Sequence, residues 1–142
     1  MSFTIVYVGG GMLDKVRSVT RLESGRLDAP YMPLLTIPYV KGRYIEVPGQ
    51  LTTVTDTFSL AIETELLSIA FGANKYQARD YLNVYVGDTK IIDTLYTKEL
   101  PEGINLIVAH PIPANTPIKL EFVNAGGAAK TVWFNYQFLR GA

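Results

Sequence analysis

The stretch Thr131-Val-Trp-Phe-Asn-Tyr-Gln-Phe-Leu139 constrains the fold of this chain more than any other. Read with a period of two, Val132, Phe134, Tyr136 and Phe138 fall on one face, and Thr131, Trp133, Asn135 and Gln137 on the other. Such alternation describes a strand with one face in a core. It runs almost to the last residue, so the C-terminal residues are expected to be central to the fold rather than a tail.

Upstream, short segments of the same kind alternate with turn signals. Leu51–Leu60 is rich in threonine and carries Val54, Phe58 and Leu60 in step, and Glu65–Phe71 carries Leu67, Ile69 and Phe71. Tyr81–Val86 and Thr89–Leu95 flank Gly87-Asp88, where glycine supplies the positive φ of a tight hairpin. Gly103–Ala109 follows Pro101-Glu102, Ile118–Val123 alternates apolar with charged residues, and Asn124-Ala-Gly-Gly127 leads into the final strand. Even spacing of about seven short strands, punctuated by Gly and Pro, predicts an all-β chain: an antiparallel β-sandwich or jelly roll over residues 51–142. One segment has a second reading. Glu63, Leu66, Leu67 and Ala70 have helical spacing, although Gly72 and the need for partner strands favour a strand.

The first 50 residues read differently. Phe3–Val8 is strand-like and ends at Gly9-Gly-Gly11. Asp14–Asp28 is mixed in charge, and Pro30-Tyr-Met-Pro33 and Ile37-Pro-Tyr39 interrupt the backbone donors that a central strand needs. The expectation is an N-terminal strand and an extended arm over residues 1–50, with Asp14–Gly49 lying over the sandwich or reaching a neighbouring subunit. Ordinary edge strands broken by proline are the alternative.

Composition narrows the partners. At 142 residues the chain forms one domain able to bury a core unaided. It has no cysteine, hence no disulfide framework and no thiolate chemistry. Thirteen basic and thirteen acidic residues cancel, so no basic excess marks a nucleic-acid surface. No apolar run approaches the ~18 residues that span a bilayer, and Phe3–Val8 lacks the basic flank and length of a signal peptide. The charged fraction, 18%, is below the ~25% of an ordinary soluble domain. A small domain needs charge to cover its surface, so the shortfall points to surface buried by other chains.

Catalytic signatures are sparse. The single histidine, His110, precedes Pro111 and is expected in an extended turn. Metal-ligand spacings, Gly-x-Ser-x-Gly and complete phosphate-binding loops are all missing. Paired carboxylates could still hydrolyse a glycosidic bond, with Glu63 and Glu65 on one strand or Asp80, Asp88 and Asp93 around the hairpin as candidates. The balance favours a chain that is not an enzyme and needs no cofactor. Aromatic residues set among amides and prolines, namely Tyr31, Tyr39, Tyr81, Tyr85 and Trp133, are the candidate interface residues. They suit a protein contact first and a sugar-stacking platform second.

The succession Tyr81-Leu-Asn-Val-Tyr-Val-Gly-Asp88, Thr94-Leu-Tyr-Thr-Lys-Glu-Leu-Pro-Glu102, Ile112-Pro-Ala-Asn-Thr-Pro-Ile118, Glu121-Phe-Val-Asn124 and Lys130–Leu139 resembles small β-sandwich virion proteins of tailed bacteriophages. The resemblance covers residues 51–142 and rests on strand and hairpin motifs, so no site residue is carried over. It implies a structural subunit of the tail, baseplate or head, assembled in the host cytoplasm as a homo-oligomer (trimer or hexamer) with other virion proteins. A carbohydrate-binding module that attaches a particle to a bacterial surface glycan is the competing expectation.

Overall fold

Among the described residues eight strands pair in a palindrome. They are β1 (Ile37–Val47), β2 (Thr52–Phe58), β3 (Thr64–Ala73), β4 (Tyr81–Val86), β5 (Thr89–Tyr96), β6 (Glu102–Ile112), β7 (Ile118–Asn124) and β8 (Lys130–Arg140). The structure is a computed structural model and describes residues 33–142. The expectations placed on Phe3–Val8, on the glycines that follow it and on Tyr31 lie outside the described residues.

β1 pairs with β8, β2 with β7, β3 with β6 and β4 with β5, all antiparallel. The chain is thus one long hairpin that turns at Gly87-Asp88, where Gly87 has φ 57°. Rolling that hairpin brings β3 against β8 and β4 against β7. Two four-stranded sheets result, in the orders β1-β8-β3-β6 and β2-β7-β4-β5. This is the wrap of a jelly roll.

The core lies between the sheets. Val132, Phe134, Tyr136 and Phe138 of β8 face Ile118, Leu120 and Phe122 of β7, and all are essentially buried. From β3 come Leu66, Ile69 and Phe71, and from β4 Leu82, Val84 and Val86. Each truncation among the large side chains would remove about 3–5 kcal/mol, because a close-packed interior collapses only partly around the void.

Of the two readings of the stretch before Gly49, the edge strand with a proline is the one observed for Ile37–Val47. Ile37–Val47 is not an arm but a full strand, paired residue for residue with β8 from Ile37–Arg140 to Val47–Lys130. Pro38 is accommodated because β1 is the edge of its sheet. The strand escapes a search by periodicity because its faces are mixed: Lys41 and Arg43 take inward positions, whereas Val40 and Tyr44 point out. Arg43 is tolerated inside by a two-point pair with Asp56 of β2, Nε to Oδ2 at 2.9 Å and Nη2 to Oδ1 at 2.7 Å. That pair bridges the two sheets along one side of the sandwich.

β3 resolves the helical ambiguity. A bulge between Leu66 and Ser68 shifts the register against both β6 and β8. Leu66 and Ile69 then point into the core although they are three residues apart, which is the spacing of a helix. His110 is likewise not in a turn. It sits within β6, opposite Leu66, and burial holds its imidazole below the ordinary pKa. Pro111 fits beside it because β6 is the other edge of that sheet.

The loops divide between two ends. At one, Asn124 Nδ2 reaches the carbonyls of Pro48, Gln50 and Ala128, and its Oδ1 accepts from Gly127 N. Beside it the fully buried Lys130 ammonium donates to Asp80 and to Gln77 Oε1. Asp80 Oδ1 accepts from Gly126 N at 2.9 Å, Gln77 Oε1 from Ala128 N at 2.9 Å, and the Asp80 carbonyl from Thr97 N at 3.0 Å. Four loops are cross-tied by these few side chains. The opposite end carries the chain entry at Leu34–Leu35, whose two backbone N–H groups donate to buried Glu65 Oε1 at 2.8 and 2.6 Å.

Candidate functional site

Because successive side chains on a strand alternate, the pairing register maps the outer face of the β1-β8-β3-β6 sheet into rows that cross all its strands. One row runs Tyr44, Trp133 and Gly72, with Pro101 packed 3.5 Å from where a Gly72 Cβ would lie. The next runs Gly42, Asn135, Ala70 and Gly103. A third runs Val40, Gln137, Ser68 and Asn105, with Ser68 Oγ donating to Gln137 Oε1 at 2.8 Å. These three rows hold no charged residue. Glu46 appears only at one margin, accepting from Thr131 Oγ1 at 2.8 Å.

The aromatic row stands proud. Trp133 is 45% exposed, and Tyr44 directly opposite it on β1 is 62% exposed. Beside them the second row has no side chain beyond Cβ except Asn135. A ridge therefore lies next to a shallow trough on a neutral surface. The low charge content of the chain is concentrated on this face.

The outer face of the second sheet differs. Tyr85 lies beneath two lysines, with Lys119 Nζ 4.3 Å and Lys90 Nζ 5.4 Å from the ring centroid. Lys90 also pairs with Asp93 at 3.2 Å, and hydrogen bonds from Lys90 and Thr94 hold that carboxyl below its ordinary pKa. Tyr81 meets Tyr96 edge-on at 5.8 Å. Charges of both signs and a row of threonines, Thr53, Thr55 and Thr57, give this face an ordinary solvated character.

The sequence-nominated aromatics thus do not converge. Tyr39 points inward and packs against Phe138 at 6.2 Å, so its ring belongs to the core. Tyr81 and Tyr85 share one outer face, Trp133 occupies the other, and Tyr31 is outside the described residues. Tyr44 and Val40 escape the sequence reading because β1 itself reads as an arm. Once β1 is placed against β8, its alternate residues follow directly from the register.

The carboxylate candidates are dispersed as well. Glu65 is buried and holds the chain entry, while Glu63 stays exposed just before β3. Asp80 is locked in the buried pair with Lys130, Asp88 sits at the hairpin tip, and Asp93 faces solvent on β5. Among the described residues no group of three or more His, Asp or Glu side chains is arranged to hold a metal ion. One depression, about 270 Å3, is lined by Leu35, Ala61, Ile62, Glu63, Ala114 and the C-terminal residues. It is open, and one carboxylate and one guanidinium are its only charged side chains.

Comparison with known proteins places the chain. Residues 35–142 match a family described as Domain of unknown function (DUF8551). The chain belongs to that family. The matched span begins two residues before β1 and covers all eight strands, so the family and the roll coincide. No curated protein matches the chain at a significant level. Among solved structures, a chain of the cyanophage Pam1 capsid asymmetric unit superposes with a TM-score of 0.54 at 16% identity, covering 81% of this chain and 93% of that one. FLHE gives a TM-score of 0.45 at 9% identity over 74% of this chain and 100% of that one. The infectious bursal disease virus VP2 subviral particle gives 0.40 at 16% identity, over 75% of this chain and 34% of VP2. The fold of this DUF8551 member resembles a viral capsid jelly roll.

Proposed function

We propose that this protein is a non-enzymatic structural subunit of a bacteriophage or prophage particle, assembled in the host cytoplasm through contacts between like copies and with other virion proteins. The observation that carries this reading is the likeness to the Pam1 capsid chain, which extends over 93% of that chain and so involves the whole roll rather than a fragment of it. Physical character supports it. The β1-β8-β3-β6 sheet offers a broad neutral face, and the loops at one end are cross-tied by buried polar side chains, as suits a rigid building block.

The test is to raise particles from a producing host, band them by density and quantify this chain by mass spectrometry. Stoichiometric recovery in the particle band, with copy number in a simple ratio to the major shell or tail protein, is the expected result. Absence from particles of normal yield would overturn the proposal.

A second reading has one observation in its favour. Tyr44 and Trp133 are exposed neighbours flanked by the amides of Asn135 and Gln137, a combination that can stack on and hydrogen-bond a neutral sugar. On a glycan array, selective binding lost in Trp133→Ala, with the fold intact, would favour a carbohydrate-binding module.

A further inference from the structure

The neutral face is self-complementary. Its rows lie two residues apart, about 7 Å along the strands. The aromatic ridge of Tyr44 and Trp133 therefore sits one row from the trough of Gly42, Ala70 and Gly103. A two-fold axis in the plane of the face, running between those two rows and across the strands, exchanges them. Because such an axis keeps each strand position, it lays Tyr44 of each copy over Gly42 of the other and Trp133 over Asn135, which makes the contact isologous.

We propose that a second copy of this chain docks on the outer face of the β1-β8-β3-β6 sheet, face to face about such an axis. This deepens the structural-subunit reading and rests on it. Size and charge select this occupant. Four strands about 4.8 Å apart and the four rows that overlap about this axis, the three neutral ones and the Glu46–Thr131 margin, give a footprint on the order of 500 Å2 in projection, a small interface beside the ~800 Å2 per partner of a standard one. A sugar stacked on two rings would leave most of that neutral surface in water. A chain of net charge +0 meets its own copy without long-range repulsion, and the charge that the contact brings in, Glu46 at its margin, keeps its hydrogen bond from Thr131 Oγ1. Trp133 and Tyr44 are the anchors, the residue types that dominate interface energetics.

The experiment uses the full chain. Its mass is measured by sedimentation equilibrium from micromolar to high micromolar concentration, alone and as Ala70→Lys, Trp133→Glu and the opposite-face control Thr55→Lys. Far-UV circular dichroism checks that each variant folds. The chain has no cysteine, so Ala70→Cys and Thr55→Cys can be treated with a short bis-maleimide to read proximity separately from affinity. The expected result is an even-numbered oligomer, with its dissociation constant raised at least tenfold by Ala70→Lys and by Trp133→Glu and unchanged by Thr55→Lys. Of the two cysteine variants, only Ala70→Cys should cross-link within the oligomer. An oligomer unaffected by either face variant overturns this contact while leaving the particle-subunit reading intact. A monomer throughout overturns the contact too, and recovery in particles then decides the broader reading on its own. Glycan binding by a monomer, lost in Trp133→Glu, would assign the face to a sugar instead.

Discussion

Lys130→Met is expected to destabilise the fold more than any other single polar substitution. Lys130 and Asp80 have side chains 0% and 1% exposed, so neither charge has water to fall back on. Removing the ammonium leaves Asp80 Oδ1 with its bond from Gly126 N and Oδ2 with no cation. Breaking one partner of a buried pair costs about 3–5 kcal/mol, since the remaining charge stays desolvated. For a domain of this size each kcal/mol lowers the melting temperature by about 3–5 °C, so the loss is about 10–25 °C. Removing both charges tests the cause. In Asp80→Asn/Lys130→Met the Asn Oδ1 still accepts from Gly126 N, and the apolar Met occupies the volume of the lysine stem. Exchanging a buried pair for uncharged groups is often close to neutral, so most of the loss should return. The assay is urea and thermal unfolding followed by circular dichroism for the wild type, both single variants and the double variant. A single-variant cost below about 1 kcal/mol, or a double variant no more stable than either single, would refute the view that an uncompensated buried charge sets the penalty.

Three further outcomes follow from the same packing. Arg43→Ala should cost about 2 kcal/mol, by loss of two charge-assisted hydrogen bonds to Asp56, and Arg43→Lys should recover little because an ammonium cannot reproduce the planar fork; urea unfolding measures both. Tyr136 carries a buried hydroxyl with no hydrogen-bond partner among the described residues, so Tyr136→Phe should be neutral or stabilising by up to about 1 kcal/mol at pH 7. Burial, with the Asp56 charge adding to it, raises the Tyr136 pKa well above its ordinary 10.0. The unfolded chain therefore ionises first, and the stability linked to this group is present below pH 10 and lost above it; the alkaline decline should be shallower in Tyr136→Phe. Asn124→Ala should cost about 2–3 kcal/mol by orphaning loop carbonyls and Gly127 N, and hydrogen exchange should quicken at Gly127 and its neighbouring loops.

How legible the fold is in the sequence depends on whether a strand keeps a clean alternation. Ile118–Phe122 of β7 and Val132–Phe138 of β8 have apolar inner residues, and outer residues that are polar apart from Trp133, so their faces can be read directly from Ile118, Leu120 and Phe122 or from Val132 to Phe138. The seven strands after residue 50 can be found in this way to within a few residues. β1 cannot, because its inner face includes Arg43, whose charge is paired with Asp56 of another strand, and its outer face includes Val40 and Tyr44. A pairing between strands is invisible in either strand alone. The β3 bulge hides in the same way, since the extra residue is defined only against β6 and β8. As for the neutral face, Trp133, Asn135 and Gln137 are visible as one side of a strand. The rows they belong to, and the opposition of Tyr44 to Trp133, exist only in the register.

The pairing of Ile37 with Arg140 has a consequence for the chain as a piece of string. The first and last of the described strands are neighbours, and Leu35 Cδ2 comes within 4.0 Å of the place a Gly141 Cβ would occupy. The described polypeptide is almost a closed loop. A linker of a few residues joining 142 back to 35 would complete the circle, and the strand order would survive a new opening at Asp88 on the hairpin tip. Such a permutant would place both ends beside a surface turn and leave the edge where β1 meets β8 seamless.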